Sequence, residues 1–360
     1  MTIESQDDGE GRYLGDRRLS ELMTVPVPPT TPEEQERHRI YCYLLLYLLN
    51  EHWNPYKYGC EGEYPWAEGT NARRSTYLGH NIAAIAVSPT GRIVDFDFNH
   101  NELFNSSAEH AEARLLRRLF ALGKQFAERL DREYIEEEFN KMQSGIELDP
   151  TAGSETHHKW WYRSENTMSR THFGRTLARI TIYTSLESCA QCSGMMALGA
   201  VEKVVYLQAD PGQNHIGAIL FNLNGGNTAF KSPLPVPASE YGVAEYTALS
   251  HAYSKYLKQI QSSRVKSFYK MGDENILPSS SLTTFLCTSA AKKILQSAAY
   301  KFSREKEYPV GLPFPLGSRL QYGDWQPSPT ALTNREVWGA AELFAQGTLR
   351  YGRRGTPHRS

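Results

Sequence analysis

Cysteine is scarce in this chain: five in 360 residues. An odd and low count excludes a disulfide framework of the kind that staples small secreted domains, and makes any close cysteine pair a candidate metal clamp or redox couple instead. Long apolar runs are missing as well. The longest, Ile40 to Leu49, contains tyrosines and a cysteine and falls well short of the roughly 20 residues that span a bilayer, so it reads as a core helix and no membrane partner is expected. Charge of one sign is equally lacking, with a net charge of −1; bulk electrostatics gives no pull toward a polyanion, and a nucleic acid would have to meet a local patch. The opening stretch "MTIESQDDGEGRYLGDRRLSEL" has neither the apolar core nor the small-residue cleavage site of a secretory leader, so a reducing, cytoplasmic location is expected.

What is present suffices for a sizeable core: 40% of residues are hydrophobic and 22% charged, within the range of ordinary globular chains and enough for one large domain or two smaller ones. Residues 1–30, which end in "TVPVPPTTP", read as a disordered tail. Order is expected from Thr31, where Thr31-Pro32-Glu33-Glu34 places an N-cap threonine, a first-turn proline and a returning glutamate in the pattern of a capping box. A helix to about His52 follows. The stretch "NIAAIAVSPTGRIVDFDF" predicts a hairpin over 81–87 and 92–98, turned at Ser88-Pro89-Thr90-Gly91. Ala111, Leu115, Leu119 and Leu122 then recur at helical spacing, predicting an amphipathic helix capped near Ser107, with Arg114, Arg117 and Arg118 on a solvated face.

Residues 124–178 read as a charged, irregular insertion, followed by a strand in "RITIYTSLES", a small-residue helix in "CAQCSGMMALGA" and another strand in "KVVYLQAD". This order predicts an α/β fold, a sheet covered by helices. "NGGNTAFKSPLPVPASEYG" reads as a linker or surface excursion, and helices are expected over about 243–260 and 281–304, so that residues 226–360 form a linker and a helical C-terminal extension. Cys42, Cys60 and Cys287 are scattered and read as ordinary residues.

Cys189 and Cys192, in "SLESCAQCSG", sit at a predicted helix start, where positions three apart face the same way and free N–H groups favour thiolates. The pair alone leaves zinc, a redox couple and coincidence open. "HAE" at 110–112 opens the other amphipathic helix. If the two helix starts converge, His110, Cys189 and Cys192 supply three ligands for Zn²⁺ and water takes the fourth place. Two thiolates and a neutral imidazole cancel the charge of the metal, so its water is acidified less than at an all-histidine site, and a base is needed beside it; Glu112 stands there as catalytic proton carrier.

His110-Ala111-Glu112 with Ser188-Cys189-Ala190-Gln191-Cys192 resembles the H-x-E and P-C-x-x-C signature of the cytidine and deoxycytidylate deaminase superfamily, nearest its tRNA adenosine deaminase and guanine deaminase branch. The likeness covers about residues 80–222, so residues 31–225 are expected to be a deaminase domain carrying the 124–178 insertion. The resemblance implies a cytidine deaminase-like three-layer fold with a mixed sheet of about five strands covered by helices, a zinc-bound water, and substrate contacts from Asn99 and Ala111. Two departures stand out. Ser188 replaces the usual proline, removing a fixed backbone angle but no ligand, and Cys189 follows Glu112 by 77 positions, far more than a helix-to-strand connection needs.

Within the insertion, Trp160, Trp161, Tyr162 and Phe173 interleave with Lys159, Arg163, Arg170 and Arg175, a mixture that stacks bases and holds phosphates, or equally a loop that buries its aromatics. The leading expectation is hydrolytic deamination of adenine or cytosine in RNA or single-stranded DNA. The same chemistry on a free base, nucleoside or nucleotide is the alternative, and an inactive zinc-stabilised binding module the third. A homo-oligomer is left open.

Overall fold

The computed structural model describes residues 19–53, 80–89, 91–101, 106–129, 177, 180–223, 232–261, 269–271, 274–276, 279–304 and 332–351. The expected aromatic and basic run over 157–175 and Cys60 lie outside them.

Within the stretch read as a tail, Leu19–Leu22 forms one helical turn, α1. Helix α2 (Pro32–Glu51) starts where its capping box predicts: Thr31 Oγ1 accepts from Glu34 N at 3.2 Å while Glu34 Oε2 accepts from Thr31 N at 2.9 Å. Ile40, Leu44, Leu45 and Leu48 of α2 are fully buried, as befits a helix apolar on nearly every side.

Five strands form one sheet in the order β2-β1-β3-β4-β5: β1 (Ala83–Val87), β2 (Ile93–Phe98), β3 (Thr181–Thr184), β4 (Lys203–Tyr206) and β5 (Leu234–Pro237). β1 runs antiparallel to both of its neighbours, whereas β3, β4 and β5 are parallel. β1 and β2 are the predicted hairpin; Gly91 closes its turn by donating to Ser88 O at 2.9 Å, with φ +89°, an angle glycine reaches without strain. Side chains then alternate across the sheet, except where a register shift between Ala86 and Val87, opposite Asp95 and Ile93, leaves Val94 on the same face as Asp95. Ile85, Val87, Phe96, Phe98, Tyr183 and Val205 face one core with α2, and Ala84, Ala86, Val94, Ile182 and Val204 face another. The second face carries α3 (Ala111–Arg129) and α4 (Ala190–Leu198), and the small Ala84 and Ala86 let α3 lie close to the sheet. Helices therefore cover both sides, as expected for the α/β class.

Several expectations are corrected. The supposed linker supplies β5, whose Leu234 N donates to Glu202 O at 3.0 Å and whose Val236 is fully buried. Helix α3 runs past 124 to Arg129. α5 (Ile216–Leu223) and α6 (Ala244–Gln261) follow, then a ribbon of β6 (Tyr269–Met271) and β7 (Glu274–Ile276). The helix expected over 281–304 is broken into α7 (Leu282–Phe285) and α8 (Ser289–Arg304), and α9 (Asn334–Tyr351) comes last. α8 and α9 pack on α2, so residues from the C-terminal third complete one of the two cores.

Arg114 and Arg118 of α3 are not on a solvated face. Arg118 Nε donates to Asp95 Oδ2 at 2.8 Å and its Nη1 contacts Asp97; Arg114 Nε reaches Asp97 Oδ2 at 3.1 Å. Asp95 and Asp97 alternate onto the α3 face of β2 and are buried, so burying their charge requires these partners. Arg117 is exposed yet pairs with Glu109 at 2.7 Å. Among the described residues, no helix is long and apolar enough to cross a membrane.

Candidate metal centre

Strand polarity brings the two motifs together. β2 and β3 both run antiparallel to β1, so their C-terminal ends share one edge of the sheet. The chain leaving β2 reaches α3 and the chain leaving β3 reaches α4, which places the two helix N-termini side by side on the same face. Gln191 bridges them, its Nε2 donating to Ala108 O at 3.2 Å. The start of α3 is not capped by Ser107, as the sequence suggests, but from a distance: Asn99 Oδ1 accepts from Ala111 N at 2.7 Å.

At this edge His110 Nδ1 lies 3.3 Å from Cys189 Sγ and 3.7 Å from Cys192 Sγ, and the two sulfurs are 3.6 Å apart. Among the described residues, these three form the one cluster of candidate metal ligands. Zinc bonded tetrahedrally to two thiolates at about 2.3 Å and an imidazole at about 2.0 Å would set the sulfurs about 3.8 Å apart and each about 3.5 Å from the nitrogen. The observed triangle matches those edges within a few tenths of an ångström, so His110, Cys189 and Cys192 can hold a metal ion, and their donor set suits zinc. His110 and Cys189 are only part-buried, which leaves a side open for a fourth ligand.

The charges already lean toward ligation. Cys189 is drawn down to about 4, first by its hydrogen bond with Cys192 and then by His110. Cys192, bonded to Cys189 and buried, is pushed well up, and His110 is raised by its bond to Cys189. A thiolate is thus held among donors whose protons a metal would displace.

No family model matches the chain, and no curated protein matches it. Its fold is similar to a tRNA:A34 deaminase. That solved chain, described as performing A-to-I editing at the wobble position of transfer RNA, shares 16% identity over 45% of this chain and 83% of its own, with a TM-score of 0.25. At this level the case for the site rests on the geometry of the site itself.

Glu112 stands outside the ligand cluster. It is buried in the first turn of α3, and burial raises its carboxyl above the usual range, opposed by its own backbone N–H, by the charge on His110 and by the Thr184 hydroxyl. Its Oε2 is 3.7 Å from Cys192 Sγ, while Oε1 accepts from Thr184 Oγ1 at 3.0 Å and Ser188 Oγ at 3.1 Å. Sequence reasoning missed Thr184 as a neighbour of Glu112, and read Ser188 only as a missing proline.

Also missed is His215, whose Nδ1 lies 3.4 Å from the buried Glu187 Oε1. Burial pushes Glu187 up, against the bond it accepts from Asp210 N. Asn214 and His215 both adopt positive φ, +50° and +54°, a strained pair held just before α5. Cys42 and Cys287 are buried and remote from the cluster in sequence, as ordinary core residues.

Proposed function

We propose that this chain is a zinc-dependent hydrolytic deaminase that converts an amino base, adenine or cytosine, to its oxo form. The observation that carries the reading is the ligand triangle of His110, Cys189 and Cys192, of tetrahedral size, with a buried carboxylate beside it that belongs to no ligand set. A purely structural zinc site closes with four protein ligands and has no use for a proton carrier.

When bound, zinc supplies an acidified water at its open position. Glu112 takes a proton from the attacking water, gives it to a ring nitrogen of the base, and carries the next to the departing amine, so that water and an amino base become an oxo base and ammonia. Asn99, its Oδ1 committed to the Ala111 N–H, has its amide NH2 to offer a sugar hydroxyl, and Ala111, between His110 and Glu112, is the second proposed substrate contact. RNA or single-stranded DNA is the proposed substrate, supported by the aromatic and basic run at 157–175 and by the need to take a base out of the stack before its amine can be reached. A free nucleoside or nucleotide is the second reading, favoured by the net charge of −1.

Zinc-loaded protein incubated with RNA, single-stranded DNA, nucleotides and nucleosides, and read by mass spectrometry for an amine-to-oxygen change, tests both readings. Turnover on oligonucleotides is expected. Turnover confined to mononucleotides or nucleosides would move the assignment to the second reading, and none on any of them would refute the activity. Glu112→Gln is expected to retain stoichiometric zinc and to lose at least about a hundredfold in rate. Full activity in that variant would remove the mechanism.

A further inference from the structure

Both hydroxyl donors to the Glu112 carboxylate reach the same oxygen. Oε1 accepts from Thr184 Oγ1 at 3.0 Å and from Ser188 Oγ at 3.1 Å, whereas Oε2 accepts only from Cys192 Sγ of the ligand cluster, at 3.7 Å, among the described side chains around it. We infer that Thr184 and Ser188 are positioning residues that lock Oε1 and thereby present Oε2 alone to the metal centre.

The terminal torsion of a glutamate is broad and nearly two-fold, so an unrestrained carboxylate exchanges its oxygens freely. Each oxygen has two lone pairs. With both of those on Oε1 engaged by hydroxyls, proton transfer runs through Oε2, and the acid is held in one orientation for each of its steps. The two donors reach Glu112 by different routes. Thr184 ends β3 in a row with Ala84 of β1, on the face that α3 covers, and is completely buried. Ser188 immediately precedes Cys189 and is buried too, so it ties the carboxylate to the loop that delivers the sulfurs. A proline at 188 would offer no such donor, which makes the arrangement a property of this chain rather than of the signature it resembles. The catalytic consequence rests on the proposed deaminase reading; the geometry does not.

The test compares zinc-loaded and Co²⁺-loaded wild type with Ser188→Ala, Ser188→Thr and Thr184→Val. Visible spectra of the Co²⁺ forms are expected to coincide, since no ligand changes. Each hydroxyl deletion should lower kcat about tenfold with KM unchanged, and Ser188→Thr should stay within about twofold of wild type. In a crystal structure of zinc-loaded Ser188→Ala the Glu112 carboxylate should turn away from its wild-type orientation. An unmoved carboxylate, or Ser188→Ala with the wild-type kcat, overturns the inference. If wild type turns over no substrate yet the carboxylate turns in Ser188→Ala, the deaminase reading falls and the positioning role stands.

Discussion

At the scale of single residues, what the sequence displays is local spacing and what it hides is contact across the chain. His110 and Glu112 share a helix start, and Cys189 and Cys192 share another, so each pair is legible from positions two or three apart. The Thr184 and Ser188 bonds to Glu112 span 72 and 76 positions, and no local pattern announces them. His38 belongs to the same class. Buried between α2 and the sheet, it accepts from Lys203 Nζ at 3.4 Å, meets Tyr183 OH at 2.6 Å and stacks on Tyr241 at 4.0 Å. Burial, with Lys203 and Arg37 nearby, holds it well below 6.5. Below about 6.5 the unfolded chain takes up a proton that the folded protein refuses, so this contribution to stability is complete above that pH and is lost as pH falls. The Tm should therefore decline between pH 7.5 and 5.5, and His38→Gln should make the decline shallower; parallel profiles would show that His38 does not govern it.

At the scale of elements, the start of α2 and the hairpin were legible because capping and turn chemistry are written there in three or four consecutive residues, whereas the cap of α3, Asn99, lies 12 positions from Ala111. β5 was not. Pro235 and Pro237 argue against a strand by composition, but they occupy an edge strand paired on one side only, where a missing N–H costs nothing if it points outward. The arginine stripe of α3 misled for a related reason. Helical spacing says which residues share a face, and only the strand beneath says whether that face meets water or Asp95 and Asp97. Arg118→Met removes the main partner of both aspartates and should destabilise the protein by about 3 kcal/mol, measured by urea unfolding. A loss below about 0.5 kcal/mol would place the pair among ordinary surface bridges.

At the scale of the whole molecule, the α/β class followed from the order of elements and the mixed five-stranded sheet only from the resemblance of the two motifs, while the expected division at about 225 runs into a shared core. Val236 from β5, Tyr241, and Leu295, Phe302, Val337 and Ala341 from the last helices pack in one cluster with α2. A fragment ending at 225 would expose the apolar face of α2 and is expected to aggregate on expression; a soluble fragment with a cooperative thermal transition would restore the division. On this scaffold, strand polarity rather than proximity in sequence brings two helix tips to one edge, and the chemistry proposed here depends on what they grip. X-ray absorption at the zinc edge of the reconstituted protein measures that directly. Two sulfurs at about 2.3 Å, one imidazole nitrogen near 2.0 Å and one further oxygen are predicted, at one zinc per chain. A shell of oxygen and nitrogen alone, or one sulfur per metal, would contradict the account.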